Sequence, residues 1–210
     1  LDLSSDEPVL TARELEMMCL MALKGRTLFG AYQIAGAALP QESRPLFCKW
    51  FQAEFSYTPS SFVEEPQLND FLLTDSRKEA YHLLTAFLEV RHYRVKHRQA
   101  GGLGGMILEG EPGDGKSHFA AACLEAHGFT EIHPSEIENK TGKFFCKLSA
   151  AMPLKEKREA LLRAFYAGIV VIEDELNSAP MMESLRNDLL MHRAPGSGAA
   201  PAHFGFMLIG

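Results

Sequence analysis

Residues 106–124, MILEGEPGDGKSHFAAACL, decide the fold of this chain. They begin with the apolar run Met106-Ile107-Leu108, which predicts a short buried strand. They end with an apolar, alanine-rich pattern at 119–124 that predicts a helix. Between the two, residues 110–117 match G-x-x-x-x-G-K-S, a loop signature for phosphate binding. A glycine-rich loop between a strand and a helix is the context in which this signature predicts a nucleoside triphosphate site.

Each fixed position of the loop has a physical task. The glycines allow backbone N–H groups to turn toward phosphate oxygens, Pro112 stiffens the loop, and the helix N-terminus adds its positive dipole end. We expect Lys116 to reach the β- and γ-phosphates and Ser117 to hold Mg²⁺. His118 follows directly and could touch phosphate, although that position is more often just the first helical turn. The predicted nucleotide-binding residues are therefore Gly110, Glu111, Pro112, Gly113, Asp114, Gly115, Lys116, Ser117 and His118.

A second motif lies at 169–175, where IVVIEDE places acidic residues after four apolar, β-branched ones. The apolar run predicts a strand covered on both faces. We expect this strand to lie beside the strand that precedes the loop. One carboxylate would order the Mg²⁺ shell, and the next would polarise the attacking water. The acidic pair is either Glu173-Asp174 or Asp174-Glu175, and it suits triphosphate hydrolysis better than kinase chemistry.

Three stretches together carry a family resemblance. DELNSAP at 174–180 resembles the D-E-[IL]-N-x-A-P stretch of AAA+ ATPases of the MoxR, midasin and dynein-related type. LEGEPGDGKS at 108–117 resembles their L-E-G-x-P-G-x-G-K-[ST]. FMLI at 206–209 is similar to the strand that leads into their T-Q-N-P sensor motif. The resemblance covers residues 75–210.

This resemblance implies roles for the acidic residues. Asp174 would be the acid on the Mg²⁺ side, and Asn177 would be a supporting residue. The catalytic residues would be Glu175, which acts as the base, and Lys116. Ser117 and Asp174 would then be the metal-binding residues. Glu173 departs from the family, which usually has an apolar or small residue there. If Glu175 is the base, replacing Glu173 is expected to cost little turnover.

The resemblance also implies ATP and Mg²⁺ as cofactors, a homo- or hetero-oligomeric ring, and remodelling of a protein partner. The family's sensor asparagine, arginine finger and helical lid would fall beyond Gly210. With Leu1 at its start and an apolar run at its end, the chain looks like a fragment of a longer protein. We therefore expect an incomplete AAA+ subdomain that lacks its lid.

The remaining pattern predicts two domains, a helical segment over 1–66 and a P-loop NTPase subdomain over 67–210. A helix begins near Thr11, and its apolar residues Leu15, Met18, Cys19 and Ala22 lie on one face. Another helix opens at Pro45, and its apolar, largely aromatic side chains are expected to leave water: Leu46, Phe47, Trp50, Phe51 and Phe55. In the second part a helix runs from Thr74 or Asp75 to about Arg98. Strands at 144–148, 169–172 and 204–209 then alternate with helices at 154–165 and 181–192. This alternation predicts an α/β fold with a parallel sheet flanked by helices.

The end of the helix before the glycine-rich segment is basic. Its cations are Arg91, Arg94, Lys96 and Arg98, with His92 and His97 between them. They could contact phosphate or nucleic acid, or they could be a solvated helix C-terminus stabilised by the macrodipole. We favour the solvated face, since runs of charge usually have that role.

Composition narrows the function classes. The chain has 210 residues, 46% of them hydrophobic, and a formal net charge of -6, which makes nucleic acid an unlikely general partner. Cys19, Cys48, Cys123 and Cys146 form no C-x-x-C pair and are interpreted as reduced, buried thiols. No apolar run approaches the roughly 20 residues that span a bilayer, and no signal peptide is present. These features predict a cytoplasmic protein without a membrane segment.

Two other function classes stay open. One is a nucleotide-gated binding or scaffold module with little or no turnover. The other is a P-loop kinase or GTPase. Against a GTPase, the stretch Asn139-Lys140-Thr141-Gly142 lacks the aspartate of a guanine-binding N-K-x-D motif.

Overall fold

The computed structural model describes residues 12–23, 27–36, 39, 40, 42–56, 68, 71, 73–98, 105–111, 113–138, 140–191 and 204–210. The chain divides into two compact units, Leu1–Glu65 and Pro66–Gly210. The sequence also predicts a loop at 56–66 and a glycine-rich hinge at 99–105, and of these only residues 56 and 105 are among the described residues.

The described secondary-structure elements of the first unit are all helical. Its elements are α1 (Ala12–Leu23), α2 (Thr27–Gly30), a π-helical turn (Ala31–Ala35) and α3 (Arg44–Phe55). Met17 and Met21 are buried on α1, whereas Leu15, Cys19 and Ala22 are exposed. The predicted buried face of α1 is therefore wrong, because residues 17 and 21, four apart, define the stripe that turns inward.

The aromatic helix α3 also differs from expectation. Phe51 is buried and lies 5.5 Å from the ring of Tyr32, whereas Leu46, Trp50 and Phe55 are 60%, 51% and 44% exposed. The prediction that these side chains leave water is therefore wrong. A single helix turns only one stripe toward its neighbours, and an aromatic-rich sequence such as α3 has apolar residues outside that stripe.

The second unit alternates strands with helices. Its strands are β1 (Gly105–Met106), β2 (Thr130–Glu131), β3 (Phe144–Leu148), β4 (Val170–Glu173) and β5 (Met207–Ile209). Its helices are α4 (Asp75–His97), α5 (Lys116–Ala126), α6 (Leu154–Ala167) and α7 (Glu183–Leu190). Short 3-10 turns occur at Pro134–Glu136, Leu176–Ser178 and Pro180–Met182. The sequence did not predict β2, because its two exposed residues carry no apolar signal.

The five strands form one parallel sheet in the order β1-β5-β4-β3-β2. The predicted α/β architecture with a parallel sheet is confirmed at this level. One expectation is wrong: the acidic strand β4 does not lie beside β1. Ile209 of β5 pairs with Met106 on one side and Ile172 on the other, so β5 separates them. Strand order depends on the path of the connections, which the local pattern of β4 does not encode.

Alternate residues of the strands face two apolar layers. Phe145, Val170 and Met207 pack in one layer with residues of α4 and α5. Cys146 and Leu208 pack in the other with residues of α6 and α7. The sheet is thus covered on both faces, which explains why β4 is an unbroken apolar run up to its acid.

The basic end of α4 is only partly solvated. Arg91 and Arg94 are 5% and 0% exposed, whereas Lys96 and Arg98 are exposed. The expectation of a wholly solvated face is therefore wrong for two of its four cations. An arginine can be buried when its donors find fixed acceptors, and for Arg91 those acceptors come from distant loops.

Arg91 binds the amino edge of the sheet. Its Nε donates to the carbonyl of Gly205 at 2.6 Å, and its Nη2 donates to the carbonyls of Gly168 at 2.8 Å and Gly142 at 3.3 Å. These glycines precede β5, β4 and β3. One guanidinium therefore joins α4 to the starts of three strands. Separately, no helix in the described part of the chain is long and apolar enough to cross a bilayer.

Candidate functional site

The glycine-rich loop starts where β1 leaves the sheet. The backbone N–H of Gly210 donates to Met106 at 2.9 Å, and that of Leu108 donates to Gly210 at 2.6 Å. Strand pairing therefore continues for two residues past Met106, to the point where the loop begins. The loop thus leaves the carboxyl edge of the sheet, where ligands of open parallel sheets bind.

The loop closes by a turn that needs glycine. The N–H of Asp114 donates to the carbonyl of Glu111 at 3.2 Å, while Gly113 and Gly115 have φ angles of +92° and +72°. These left-handed conformations strain residues that carry a Cβ. Helix α5 follows at once, and the first N–H groups of a helix have no partner within it. The sequence signature therefore folds into a cradle that ends on a helix N-terminus.

Lys116 lies across this cradle. Its Nζ donates to the carbonyls of Gly110 and Glu111, each at 2.9 Å. The ammonium is thus already held over the loop, on acceptors that an anionic oxygen could replace. Pro112, which is also among the predicted nucleotide-binding residues, lies outside the described residues.

The two sequence motifs meet at Ser117. Its hydroxyl donates to a carboxylate oxygen of Asp174, a residue 57 positions away in the chain. Asp174 is held in place because its N–H donates to the carbonyl of Leu148 at 3.0 Å. A hydroxyl beside a carboxylate is a pair of hard oxygen ligands, which suits Mg²⁺ because that ion usually takes few protein ligands and keeps several waters.

The three consecutive acids have three different environments. Glu173 is buried at 1% exposure and faces the layer of α6 and α7, where it pairs with Arg186 and Lys157. Asp174 faces Ser117, and Glu175 is exposed with φ at +52°. Asp174 and Glu175 are therefore exposed where β4 ends, whereas Glu173 is buried behind them.

A cleft of about 1330 Å³ joins these parts. It is lined by the loop glycines, by Lys116, Ser117 and His118, and by Asp174, Glu175 and Asn177. Its charged lining residues are Glu109, Asp174, Glu175, Glu183, Lys116 and Arg186. Four carboxylates and two cations give a formal charge of −2, so a triphosphate needs a divalent cation to be attracted here.

No protein-family model, no curated protein and no solved structure matches this chain. The AAA+ resemblance therefore stands on the residues of its motifs.

The back of the loop is braced by residues that the sequence did not single out. Arg77 of α4 donates from Nη2 to the carbonyl of Asp114 at 3.0 Å, and its guanidinium lies 4.9 Å over the ring of Phe71. The same ring lies 5.3 Å from the imidazole of His118 and 5.8 Å from Phe119. His118 is thus at the cleft with its ring packed on an aromatic neighbour.

Arg186 was missed as well. It lines the cleft yet is 7% exposed, and nothing in the spacing of α7 distinguishes it from a surface arginine. Four histidines, His127, His133, His192 and His203, share no ligand spacing in the sequence and are predicted to be surface residues. His133 is exposed and closes a capping box at Pro134–Glu136, whereas half-buried His127 contacts the carbonyl of Cys123 at 2.7 Å. His192 and His203 lie outside the described residues.

Proposed function

We propose that this chain binds ATP with Mg²⁺ in the cleft and hydrolyses it, as a P-loop NTPase subdomain of the AAA+ type. The observation that carries the proposal is the contact of Ser117 with Asp174. A chance glycine-rich turn has no reason to meet, across 57 positions, the one acidic strand end that the same motif logic requires.

The cradle supplies binding and orientation. Backbone N–H groups of the loop and of the first turn of α5 would hold phosphate oxygens. Lys116 would exchange its bonds to Gly110 and Glu111 for the β- and γ-phosphates. Ser117 and Asp174 would hold Mg²⁺, which neutralises charge on the phosphates when bound. The negative lining of the cleft supports this dependence on a metal.

Glu175 is the residue best placed to handle the water. It is exposed at the cleft, one position after the acid that meets Ser117, and the left-handed backbone at Glu175 turns the chain away from the strand. We propose that its carboxylate accepts a proton from the water that attacks the γ-phosphorus, with ADP as the leaving group. Asn177 lines the same wall and would support the site.

The proposal extends to assembly through the AAA+ resemblance. The expected partner is a protein that is remodelled by a homo- or hetero-oligomeric ring, with no contact to membrane or nucleic acid and a cytoplasmic location. These points follow from the motifs at 108–117 and 174–180 and from composition.

A nucleotide-gated binding module with little turnover is the second candidate, and one observation favours it. Within the described residues the cleft has two lining cations, and Arg186 is already bonded to Glu173 and Ala179. An arginine that stabilises the transferred phosphoryl group is worth about 10³–10⁵ in rate. Without another cation from elsewhere, hydrolysis would be slow while binding is retained.

Calorimetry with ATP tests the proposal. Lys116→Ala removes charge-assisted bonds of about 1.5–3 kcal/mol each, so the affinity for MgATP should fall at least tenfold. Lys155→Ala, an exposed lysine on α6, is the matched control and should bind like the wild type. Equal affinity of the Lys116→Ala variant and the wild type would contradict a phosphate-binding loop.

A further inference from the structure

Behind the cleft lies a buried triad of charges. Arg186 holds Glu173 with a two-bond fork, Nε to Oε2 at 3.0 Å and Nη2 to Oε1 at 2.6 Å. Lys157 of α6 places its Nζ 3.6 Å from the same carboxylate. The side chains are 9%, 0% and 1% exposed, in the order Arg186, Glu173, Lys157. Two cations thus share one carboxylate away from water.

One of these cations is surplus to charge balance. Lys157 alone would neutralise Glu173, so the triad has a formal charge of +1. Burying a charge costs several kcal/mol, and buried ion pairs add little stability over apolar packing. Neutralising Glu173 therefore does not explain Arg186. What distinguishes it from Lys157 is its further contacts.

Those contacts span the acidic loop. While Nε and Nη2 hold Glu173, Nη1 donates to the carbonyl of Ala179 at 3.1 Å. Glu173 and Ala179 are the residues immediately before and after 174–178, the segment with Asp174, Glu175 and Asn177. One guanidinium therefore joins both ends of the loop, and its planar fork fixes their separation in a way that an ammonium cannot.

We propose that Arg186 is a positioning residue for the Mg²⁺ side of the site, which fixes the acidic loop so that Asp174 stays opposite Ser117. This inference rests on the proposed function, since it concerns the metal that ATP would bring. It assigns no contact between Arg186 and the nucleotide. Loss of the bonds from Arg186 to Glu173 and Ala179 should weaken the contribution of Mg²⁺ to nucleotide binding. It should leave metal-free binding by the glycine-rich loop unchanged.

The experiment measures the affinity for a fluorescent ATP analogue with Mg²⁺ and with EDTA. The wild type should bind at least tenfold more tightly with Mg²⁺. Arg186→Met should reduce this ratio to below threefold, with unchanged affinity in EDTA. Arg186→Lys keeps a charge beside Glu173 without the two-bond fork, and its ratio of affinities with Mg²⁺ and with EDTA should also fall below threefold. Lys157→Met is the matched control, because it removes the other cation of Glu173 without touching Ala179, and it should keep the wild-type ratio.

Thermal unfolding verifies that each variant is folded, and Arg186→Lys serves if Arg186→Met does not fold. The proposal is overturned if the folded Arg186 variants keep the wild-type ratio, or if Lys157→Met loses it equally. A wild type that binds the analogue without any effect of Mg²⁺ also overturns it. A wild type that does not bind the analogue under either condition overturns the proposed function itself.

Discussion

At the scale of residues, the run Glu173-Asp174-Glu175 shows how three like side chains acquire different tasks. Alternation along β4 turns Glu173 toward α6 and α7 because Val171, two positions earlier, faces that layer. Asp174 comes after the strand ends and faces Ser117. The left-handed backbone of Glu175 then redirects the chain along the cleft. Position relative to the strand end thus separates a buried ion pair from two groups available for chemistry.

This separation predicts opposite effects for two isosteric variants. Glu173→Gln leaves Lys157 and Arg186 buried without a carboxylate, so the free energy of unfolding should fall by about 3–5 kcal/mol. Glu175→Gln is on the surface and should change it by less than about 0.5 kcal/mol. Urea denaturation measures both.

Activity should separate the same pair in the other direction. Glu175→Gln should keep ATP affinity and abolish whatever hydrolysis the wild-type chain shows, because it removes the proposed base. Phosphate release measured beside calorimetry makes the comparison. If Glu173→Gln remains folded and loses hydrolysis while Glu175→Gln keeps it, the assignment of the base is wrong.

At the scale of elements, helix α4 stabilises the sheet through one buried arginine. Burial lowers the pKa of Arg91 to about 10, which still leaves the guanidinium charged at pH 7. Its acceptors are backbone carbonyls before β3, β4 and β5, at the edge opposite the glycine-rich loop. The bonds of Arg91 therefore stabilise the scaffold and do not contribute to the cleft.

Arg91→Met should accordingly lower stability without affecting binding. It leaves the buried carbonyl of Gly205 without its donor, at about 1–3 kcal/mol, and removes the part-buried bonds to Gly168 and Gly142. A loss of at least about 1 kcal/mol is therefore expected. Lys96→Met, at an exposed position of the same helix, is the control and should be nearly neutral. Chemical denaturation gives the stabilities, and the ATP affinity of the folded variant should match the wild type. A drop in affinity above tenfold would mean that the amino edge and the cleft are coupled.

At the scale of the whole molecule, two cysteines report on the two layers of the second unit. Cys123 packs in the layer of α4 and α5, and Cys146 in the layer of α6 and α7; both are 0% exposed. Burial raises the pKa of each thiol to about 12. The prediction of reduced, buried thiols is correct for these two, whereas Cys19 is exposed and Cys48 half-buried.

If both layers unfold together, Cys123 and Cys146 should react with iodoacetamide at one common slow rate at pH 8, long after Cys19. Labelling followed by peptide mass analysis measures each site, and a tenfold difference between the two would show that the layers open separately.

Folding raises the pKa values of both thiols from 9.0 to about 12, so the unfolded chain loses these protons first. The free energy of unfolding should therefore fall as pH rises from 9 to 12, and less steeply in Cys146→Ala.

Local pattern was sufficient for the parts of the fold that depend on neighbours in the chain. The strand at 144–148 is confirmed, and so is the helix predicted at 154–165, which continues to Ala167 and ends at the left-handed Gly168. Alternation, periodicity and a left-handed glycine each act within a few residues. The same holds for the turn chemistry of the glycine-rich loop. The buried face of a helix was less predictable, as α1 and α3 show, because the side that turns inward depends on what packs against it.

By itself the sequence determined the glycine-rich loop between a strand and a helix, the alternation of strands and helices, and the presence of acids at the end of an apolar strand. Only the tertiary structure decided that β5 lies between β1 and β4, that Ser117 meets Asp174, and that Arg91, Glu173 and Arg186 are buried. The physical reason is range. Backbone conformation follows from residues a few positions apart, whereas strand order, charge pairing and burial follow from groups that meet only after the chain has folded.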